Sequence, residues 1–474
     1  MTTPTLRTEQ DTPLTSEEQL LAFFQRGIRP AEQWGIGAEI EQVVVDAKTG
    51  EAADYPRIEA LLNALATTPG WEPQFENGHV IGLLGQRSSI TLEPGGQIEL
   101  SGHLCTNLAC NYGEFVHYSA EMTREADKLG LLFLGLGTQP FTPLDEINWV
   151  PKDRYQIMGP YMTRTGSHGQ RMMKQSAGLQ VNLDYNNEAD CMQKLRLAQA
   201  LAPLLYALFA NSPILEGEPT GLLSTRGQIW ANTDPDRTGL FPFLFAPEAS
   251  FRDYMEHALD VPMYFVVRDE KLIDLTTNRF TFRQFLKQGF GPHQATEADW
   301  NLHLSTLFTE VRLRPQIEIR SADSLPPHMA LMVAGLIKGI FYDQQSLAAA
   351  WELCRPASFD ELQESCRAAW TDGLQASWRS QTLQDLALAC LELSRAGLER
   401  QSCQWARGLN EAIFLDGLEK IILSGQTLAE QLLQQWHGSR QEKLALLTRH
   451  CAQTGSLAPP ETIPCAYAQF NSAG

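Results

Sequence analysis

The amino-acid sequence predicts an α+β fold, in which a β-sheet-centred core is followed by a helical C-terminal region. Two patterns support this prediction. In the first part of the chain, polar and apolar residues alternate with the two-residue period of a β-strand. From about residue 325 onward, apolar residues recur with the 3.6-residue period of an α-helix. We therefore expect a core over residues 15–325 and a helical region over residues 326–474 packed on that core.

The elements of the core follow from local patterns. Residues 1–14 are polar and are expected to form a flexible leader. Ser16-Glu17-Glu18-Gln19 has the spacing of a capping box, which predicts that a helix begins after Ser16. Further strands are expected around residues 39–41, 80–84, 89–100, 131–135 and 178–185, and helices at 58–65, 108–129 and 188–210. Residues 148–176 are expected to be loop-rich, and Pro- and Gly-rich loops lead to residue 251.

The helical region is expected to contain six helices. Their 3.6-residue periodicity places them at residues 332–341, 346–352, 359–369, 383–399, 410–424 and 428–436.

Four stretches of the core place Glu, Gln, Asn or Arg at every second position. They are residues 37–41, 92–100, 179–184 and 316–320. On one strand, Glu39 and Glu41 would lie on the same face, roughly 6.5–7 Å apart. Carboxylates gathered on one sheet face repel one another unless a cation lies among them, and oxygen ligands suit Mg²⁺ or Mn²⁺. A single Glu-x-Glu pair is more often a solvated strand face, but four such stretches favour a shared acidic cavity.

Glutamates and arginines are the main candidates for chemistry. The glutamates that could hold a metal are Glu39, Glu41, Glu93, Glu99 and Glu318. Arginines in loop or strand-end contexts suit anions, because the planar guanidinium donates to a carboxylate or phosphate through two bonds; they are Arg154, Arg226, Arg237 and Arg320. Each arginine taken alone is more often part of a surface or structural salt bridge. The Pro94-Gly95-Gly96 break indicates a bulge, a close approach of a ligand or a plain turn.

Bulk properties exclude several functional classes. A net charge of −19 argues against nucleic-acid binding. No apolar run is long enough to cross a membrane, and the N-terminus has no signal-peptide pattern, so we expect a cytoplasmic protein. The nine cysteines form no C-x-x-C pair and are expected to be reduced thiols. No phosphate-binding glycine loop, dinucleotide fingerprint or zinc-ligand motif is present, and the adjacent Ser167 and His168 do not make a catalytic triad.

The run from Thr91 to Gly102, TLEPGGQIELSG, resembles the most recognisable segment of plant- and proteobacterial-type glutamate–cysteine ligases. Other segments resemble the same family and occur in family order; they are residues 154–158, 180–184, 209–213, 229–239, 260–265 and 281–286. The resemblance covers roughly residues 35–345.

This resemblance implies a glutamine-synthetase-like catalytic core, a curved and mainly antiparallel sheet whose concave face holds ATP and Mg²⁺ or Mn²⁺. It implies that ATP drives the joining of the γ-carboxylate of L-glutamate to the amine of L-cysteine through a γ-glutamyl phosphate, the first step of glutathione biosynthesis. The implied partners are these small molecules, with no nucleic acid and no membrane, and the implied assembly is a monomer or homodimer.

The resemblance also implies site roles. The metal ligands would be Glu39, Glu41, Glu93, Glu99 and Glu318. The substrate-binding residues would be Arg154, Arg226, Gln180, Asn182 and Trp230. ATP would contact Arg320, Gln97 and Glu318, and the catalytic residues would be Glu41, Glu99 and Arg320.

The chain departs from the plant pattern at Ile40 and Gln42, where that pattern has His and Lys, and within residues 168–177, near the expected acceptor pocket. An alternative is therefore a γ-glutamyl or carboxylate–amine ligase with another amine acceptor. A metal-dependent phosphatase or hydrolase and a non-catalytic scaffold are further alternatives. Cys105 and Cys110 do not align with the cysteine pairs that regulate plant members, so that regulation is not inferred here.

Overall fold

The fold is seen in a computed structural model that describes residues 12–405 and 408–457. Its centre is an antiparallel sheet of nine strands. The described residues contain seventeen strands in all, nine of them in this sheet; they are β1 Ile36–Asp46, β2 Glu72–Glu76, β3 His79–Leu84, β4 Ser89–Leu92, β5 Ile98–Ser101, β6 Leu131–Leu134, β7 Gly178–Leu183, β8 Ile214–Leu215, β9 Glu218–Pro219, β10 Thr238–Gly239, β11 Phe265–Arg268, β12 Lys271–Asp274, β13 Phe308–Thr309, β14 Val311–Leu313, β15 Ile317–Asp323, β16 Ser377–Trp378 and β17 Gln381–Thr382. The order across the large sheet is β14-β15-β7-β1-β5-β4-β3-β2, and β6 pairs with the end of β1. The other strands form short pairs.

Helices surround this sheet. In the described residues they are α1 Glu17–Gln25, α2 Tyr55–Ala66, α3 Leu108–Leu129, α4 Arg154–Thr165, α5 Gly169–Gln175, α6 Glu188–Ala200, α7 Ala202–Leu208, α8 Thr225–Ala231, α9 Phe251–Asp260, α10 Phe282–Gln288, α11 Glu297–Ser305, α12 Pro327–Phe341, α13 Gln344–Cys354, α14 Phe359–Asp372, α15 Leu383–Gln401, α16 Asp416–Ser424, α17 Leu428–Gln434 and α18 Arg440–Cys451. The predicted fold class is thus confirmed. No helix of the described part is both long and apolar enough to cross a membrane.

Local sequence explains where several helices begin and end. The capping box predicted at Ser16 is present at the start of α1. Asn107 caps α3 by accepting a hydrogen bond from the backbone nitrogen of Cys110, and α3 ends at Gly130, whose φ of 63° is easily adopted only by glycine.

The helical region packs on the core through α12. Helices α12 and α3 lie against β1, where Ala38 and Ile40 are completely buried. A buried ion pair joins Lys338 of α12 to Glu411, and Glu411 also accepts a hydrogen bond of 2.6 Å from the backbone nitrogen of Leu108. A buried carboxylate needs such partners, because an unpaired charge in the interior is costly. The division of the chain at residues 325 and 326 stays a prediction.

The structure corrects several details of the predicted elements, and the loops expected before residue 251 contain α8. The loop-rich segment 148–176 contains α4 and α5. The predicted strand over residues 89–100 is two antiparallel strands, β4 and β5, because the chain reverses at Pro94-Gly95-Gly96. The long helix over residues 188–210 is divided at Leu201 into α6 and α7, and α18 was not predicted.

The predicted leader, residues 1–14, lies outside the described residues except for its last three. Of these, Leu14 is buried and its backbone nitrogen donates a hydrogen bond of 2.9 Å to Ala295.

Candidate active site

The register of the sheet places the predicted carboxylates on one face. Glu39 on β1 is opposite Gln180 on β7, and Glu41 on β1 is opposite Glu99 on β5. Glu99 is in turn opposite Thr91 on β4. Directly opposed residues of antiparallel strands share a face, so these side chains form adjacent rows.

A further row crosses β7, β15 and β14. Asn182 is opposite Glu318, and Glu318 is opposite Arg312. We call the assembled surface the acidic face; its members are Glu39, Glu41, Glu99, Gln180, Asn182 and Glu318. The face combines segments that are far apart in sequence, as the polar alternation predicted.

Neighbouring amides orient the two carboxylates of β1. Gln180 Nε2 donates a hydrogen bond of 2.7 Å to Glu41, and the backbone nitrogen of Gly178 donates one of 2.5 Å to the other oxygen of Glu41. Asn182 Nδ2 donates a hydrogen bond of 2.9 Å to Glu39. Both glutamates are buried, although each is bonded mainly to neutral groups. This is an environment that a cation would complete.

The electrostatics of the two glutamates follow from this burial. Burial raises the pKa of Glu39 to about 8, and the nearby charges of Glu318 and Glu99 add to the shift. Burial also raises the pKa of Glu41 to about 7, with Glu93 and Glu99 adding to the shift and Arg226 opposing it. Without a cation, Glu39 and Glu41 therefore stay protonated up to a higher pH than exposed glutamates do.

Glu318 has the opposite environment. Arg312 Nε and Nη2 donate hydrogen bonds of 2.6 and 2.7 Å to its two oxygens, and Arg320 Nη1 donates a third of 2.5 Å. Burial alone would raise the pKa of Glu318, but Arg312 and Arg320 lower it to about 2. Arg320 Nη1 also donates to Gln180 Oε1 at 2.7 Å, which connects this cluster to the carboxylates of β1.

Helix α8 brings Arg226 and Trp230 to the same edge of the acidic face. The two residues are four apart on one helix and so project from the same side. Asp323 of β15 holds the start of α8, because it accepts hydrogen bonds from Ser212 Oγ at 2.6 Å and from Ser224 Oγ at 2.9 Å. Ser224 in turn caps α8.

The guanidinium groups of Arg226 and Arg320 lie 5.1 and 5.4 Å from the centre of the Trp230 ring. Arg226 Nε, Arg320 Nε and Trp230 Nε1 are buried and have no hydrogen-bond partner within the described residues. Buried donors without partners are costly and are typical of a site that a ligand completes. A Cβ atom at Gly178 would lie 2.3 Å from Arg226 Nη2, so glycine is needed there for the arginine to fit.

Glu93 and Gln97 lie on the turn between β4 and β5 rather than on a strand. The backbone nitrogen of Glu93 donates to Gln97, and Gln97 Nε2 donates to the backbone oxygens of Met173 and Ser176 at 3.2 and 2.7 Å. The side chain of Gln97 thus anchors the turn to the end of α5. Its predicted contact with ATP stays a prediction.

Two cavities open on the acidic face. The larger, about 420 Å³, extends from Glu39 and Asn182 past Ser101 to the β3–β4 turn, residues 85–88. This volume falls within the range of small-molecule sites. The smaller cavity is lined by Glu41, Glu93, Met172, Ser176, Gln180, Trp230, Arg312 and Arg320. Glu39 and Glu41 are two residues apart on one strand, so the cavities meet at the acidic face.

Two predicted arginines lie elsewhere. Arg154 is the first residue of α4 and lines neither cavity. Arg237 is fully buried in an ion pair of 2.7 Å with Asp234 and donates to the backbone oxygen of Pro262 at 2.6 Å, so its role is structural.

Sequence reasoning missed Arg312 and Lys152. Arg312 stands between the apolar Val311 and Leu313, which is the same polar–apolar alternation as in the four stretches described above, and this signal could have identified it. Lys152 Nζ donates to the backbone oxygen of Leu92 at 2.8 Å, and burial lowers its pKa to about 8.

The expectation that the cysteines are reduced thiols is wrong for one pair. Cys105 and Cys110 form a disulfide. The reason is geometric: the short β5–α3 connection turns Cys105 back toward the first turn of α3, where Cys110 lies, and spacing alone did not reveal this.

Comparisons with known proteins identify the family of this chain. Residues 35–450 match the sequence profile of glutamate-cysteine ligase family 2 (GCS2). The chloroplastic glutamate–cysteine ligase B of Oryza sativa subsp. japonica is 39% identical over 433 residues, which are 91% of this chain and 86% of that protein. The chloroplastic glutamate–cysteine ligase of Arabidopsis thaliana is 39% identical over 430 residues, 90% of this chain and 80% of that protein.

A solved structure supports the fold. The glutamate–cysteine ligase of Francisella tularensis, solved in complex with AMP, superposes with a TM-score of 0.55 at 13% identity and covers 88% of each chain. At this identity the likeness concerns the fold alone. The expectation of a cytoplasmic protein is contradicted, since the plant relatives are chloroplastic enzymes. With matches along most of its length, the chain belongs to glutamate-cysteine ligase family 2.

Proposed function

We propose that the acidic face is the active site at which ATP drives the ligation of L-glutamate to L-cysteine. Family membership gives the reaction as ATP-dependent formation of γ-glutamylcysteine in glutathione synthesis. The observation that carries the assignment is that buried carboxylates on β1 lie beside donors of Arg226, Arg320 and Trp230 that have no hydrogen-bond partner within the described residues. A site for an anionic nucleotide in a protein of net charge −19 needs local positive charge of this kind.

The residues present fit a hard divalent cation, Mg²⁺ or Mn²⁺. The surrounding donors are carboxylate and amide oxygens, and Asn182 Oδ1 is buried with no hydrogen-bond partner within the described residues. Proposed ligands are Glu39, Glu41, Glu93 and Glu99; Glu318 is a fifth candidate, although two arginines already donate to its oxygens. When bound, the ion would neutralise charge on the phosphates of ATP.

The larger cavity suits the nucleotide, and the arginines suit the carboxylates of glutamate. We assign ATP to the larger cavity, whose volume accommodates a nucleotide and whose wall contains the exposed backbone of the β3–β4 turn. We place the carboxylates of glutamate at Arg320 and the neighbouring Arg226, beside the smaller cavity, where Arg320 also positions Gln180. The contacts of Arg154 with a substrate carboxylate and of Gln97 with ATP stay predictions.

In this mechanism the side chains of the site bind and orient the substrates and shield the acyl phosphate from water. The γ-carboxylate oxygen of glutamate attacks the terminal phosphorus of ATP, the bond to the bridging oxygen breaks, and ADP leaves. The amine of cysteine then attacks the carbonyl carbon of the γ-glutamyl phosphate, loses a proton, and expels phosphate. Arg320 can donate to the oxygens that gain charge, and burial of the site limits loss of the acyl phosphate to water.

Varying the amine acceptor tests this proposal. ADP release and product mass are measured with glutamate and ATP fixed and with cysteine, 2-aminobutyrate or a simple amine as the acceptor. The thiol takes no part in the attack, so 2-aminobutyrate should be a real substrate, poorer by about 1–3 kcal/mol in kcat/KM. Product with neither amino acid but with another amine would instead assign the chain a different acceptor. Light scattering would distinguish the monomer from the homodimer.

A further inference from the structure

Three side chains converge on the connection between β5 and α3. His103 Nε2 lies 3.6 Å from the sulfur of Cys105 and 3.7 Å from that of Cys110. One ligand atom from each residue falls within 4.8 Å of the other two. An imidazole nitrogen and two cysteine sulfurs are ligands that Zn²⁺ prefers, whereas the oxygen donors of the acidic face suit harder ions.

A carboxylate lies next to the other ring nitrogen of His103. Glu114 Oε1 lies 3.6 Å from His103 Nδ1 and accepts a hydrogen bond of 3.4 Å from the backbone nitrogen of His103. Glu114 Oε2 is buried with no hydrogen-bond partner within the described residues. A carboxylate at Nδ1 favours the tautomer in which Nε2 is free to bind a metal, and metal-ligating histidines commonly have such a partner.

Regular structure holds both cysteines in place. The backbone of Cys105 exchanges hydrogen bonds of 2.7 and 2.9 Å with Ile36 at the start of β1. Cys110 lies in the first turn of α3, where its backbone nitrogen donates to Asn107 Oδ1. Ligands held by backbone pairing with a strand and by a helix are placed more precisely than ligands on a free loop.

We propose that His103, Cys105 and Cys110 form a zinc site that exists only when their disulfide is reduced. A dithiol reductant supplies two electrons and two protons to the sulfur–sulfur bond, which breaks to give two thiols while the reductant becomes a disulfide. Zinc then binds as both thiols release their protons. The disulfide and the metal exclude each other, because sulfur bonded to sulfur offers no thiolate.

Cobalt is a suitable probe for this site. The full-length protein is reduced with a dithiol, desalted without oxygen and titrated with Co²⁺, while absorption from thiolate-to-cobalt charge transfer is recorded. We expect the band to grow to one equivalent of metal and to disappear on addition of Zn²⁺. Cobalt bound by the carboxylates of the acidic face produces no sulfur band, so the two kinds of binding are distinguishable.

The oxidised wild-type protein is the first control, since it has the same sequence and should show no band. Cys110→Ser should abolish the band, Glu114→Gln should weaken metal binding about 10–100-fold, and Cys403→Ser, outside the loop, should change nothing. Reduced protein without a sulfur band would overturn the proposal. A band that persists in Cys110→Ser, or in the oxidised protein, would overturn it as well.

Discussion

Arg312 binds Glu318 across two neighbouring antiparallel strands through two hydrogen bonds, of 2.6 and 2.7 Å. Both side chains are almost completely buried. A paired arrangement of this kind keeps Glu318 ionised and fixes its position relative to Arg320, which donates to the same carboxylate. The pair therefore fixes the position of Arg320 beside the acidic face.

Removing Arg312 should destabilise the fold. Arg312→Leu leaves Glu318 buried with one arginine partner instead of two, and breaking a buried ion pair costs about 3–5 kcal/mol. Urea unfolding measures this loss. Arg124→Leu removes an exposed arginine that pairs with Glu125, which keeps Lys128 as a partner, and should cost no more than about 1 kcal/mol. Equal losses of unfolding free energy in the two variants would mean that the buried pair stabilises the fold no more than the control pair does.

Glu41→Gln should abolish most of the activity. The change preserves shape but removes the charge that we propose holds the metal. Losing about 4 kcal/mol of transition-state stabilisation should lower kcat on the order of 10³-fold. ADP release at saturating Mg²⁺ is the measurement. Glu72→Gln makes the same change at an exposed position of β2 and should leave turnover intact. Near-normal turnover of Glu41→Gln would remove Glu41 from the metal site.

Arg226→Lys should weaken glutamate binding. Lysine keeps the charge but loses the planar pair of donors, and a hydrogen bond to a charged group is worth about 1.5–3 kcal/mol, so KM for glutamate should rise about tenfold or more. KM for ATP should change little. Steady-state kinetics with each substrate varied provide the test, and Arg283→Lys on the surface is the matched control. A rise in KM for ATP alone would place Arg226 at the nucleotide.

His303 should make stability depend on pH. Burial lowers its pKa to about 3, although Nε2 contacts the backbone oxygen of Ala258, and Arg237 and His257 add to the shift. Between pH 6.5 and about 3 the unfolded chain therefore binds more protons than the folded one, so stability falls as the pH falls through this window.

His303→Gln should remove that contribution. On going from pH 6.5 to pH 5, the unfolding free energy of the variant should therefore fall by about 1.5 kcal/mol less than that of the wild type. Urea unfolding at the two pH values checks this, with exposed His117→Gln as the control. A wild-type-like pH dependence of His303→Gln would show that the ring is not excluded from protonation.

Sequence reasoning located the acidic face because its signal is local. Glu39 and Glu41 must share a face on any strand, and the polar alternation at residues 179–184 and 316–320 identified the neighbouring strands. The helices α4 and α5 were missed because a proline at position 160 and several glycines weaken the helical signal there, while packing in the folded protein sustains them. The disulfide was missed because it depends on where a loop returns, which spacing does not report.

The order of the strands across the sheet has a consequence for how activity arises during folding. The carboxylates of β1 and β5 come from the first hundred or so residues, but their neighbours on β7 and β15 join only after the chain has been closed over long loops. Closing such loops is entropically costly and slows folding. A nascent chain that ends after β6 contains three of the four glutamates of the acidic face and none of the arginines Arg226, Arg312 and Arg320 that balance them. Repulsion among those glutamates should disfavour a half-built site, and catalytic competence should appear in one late, cooperative step.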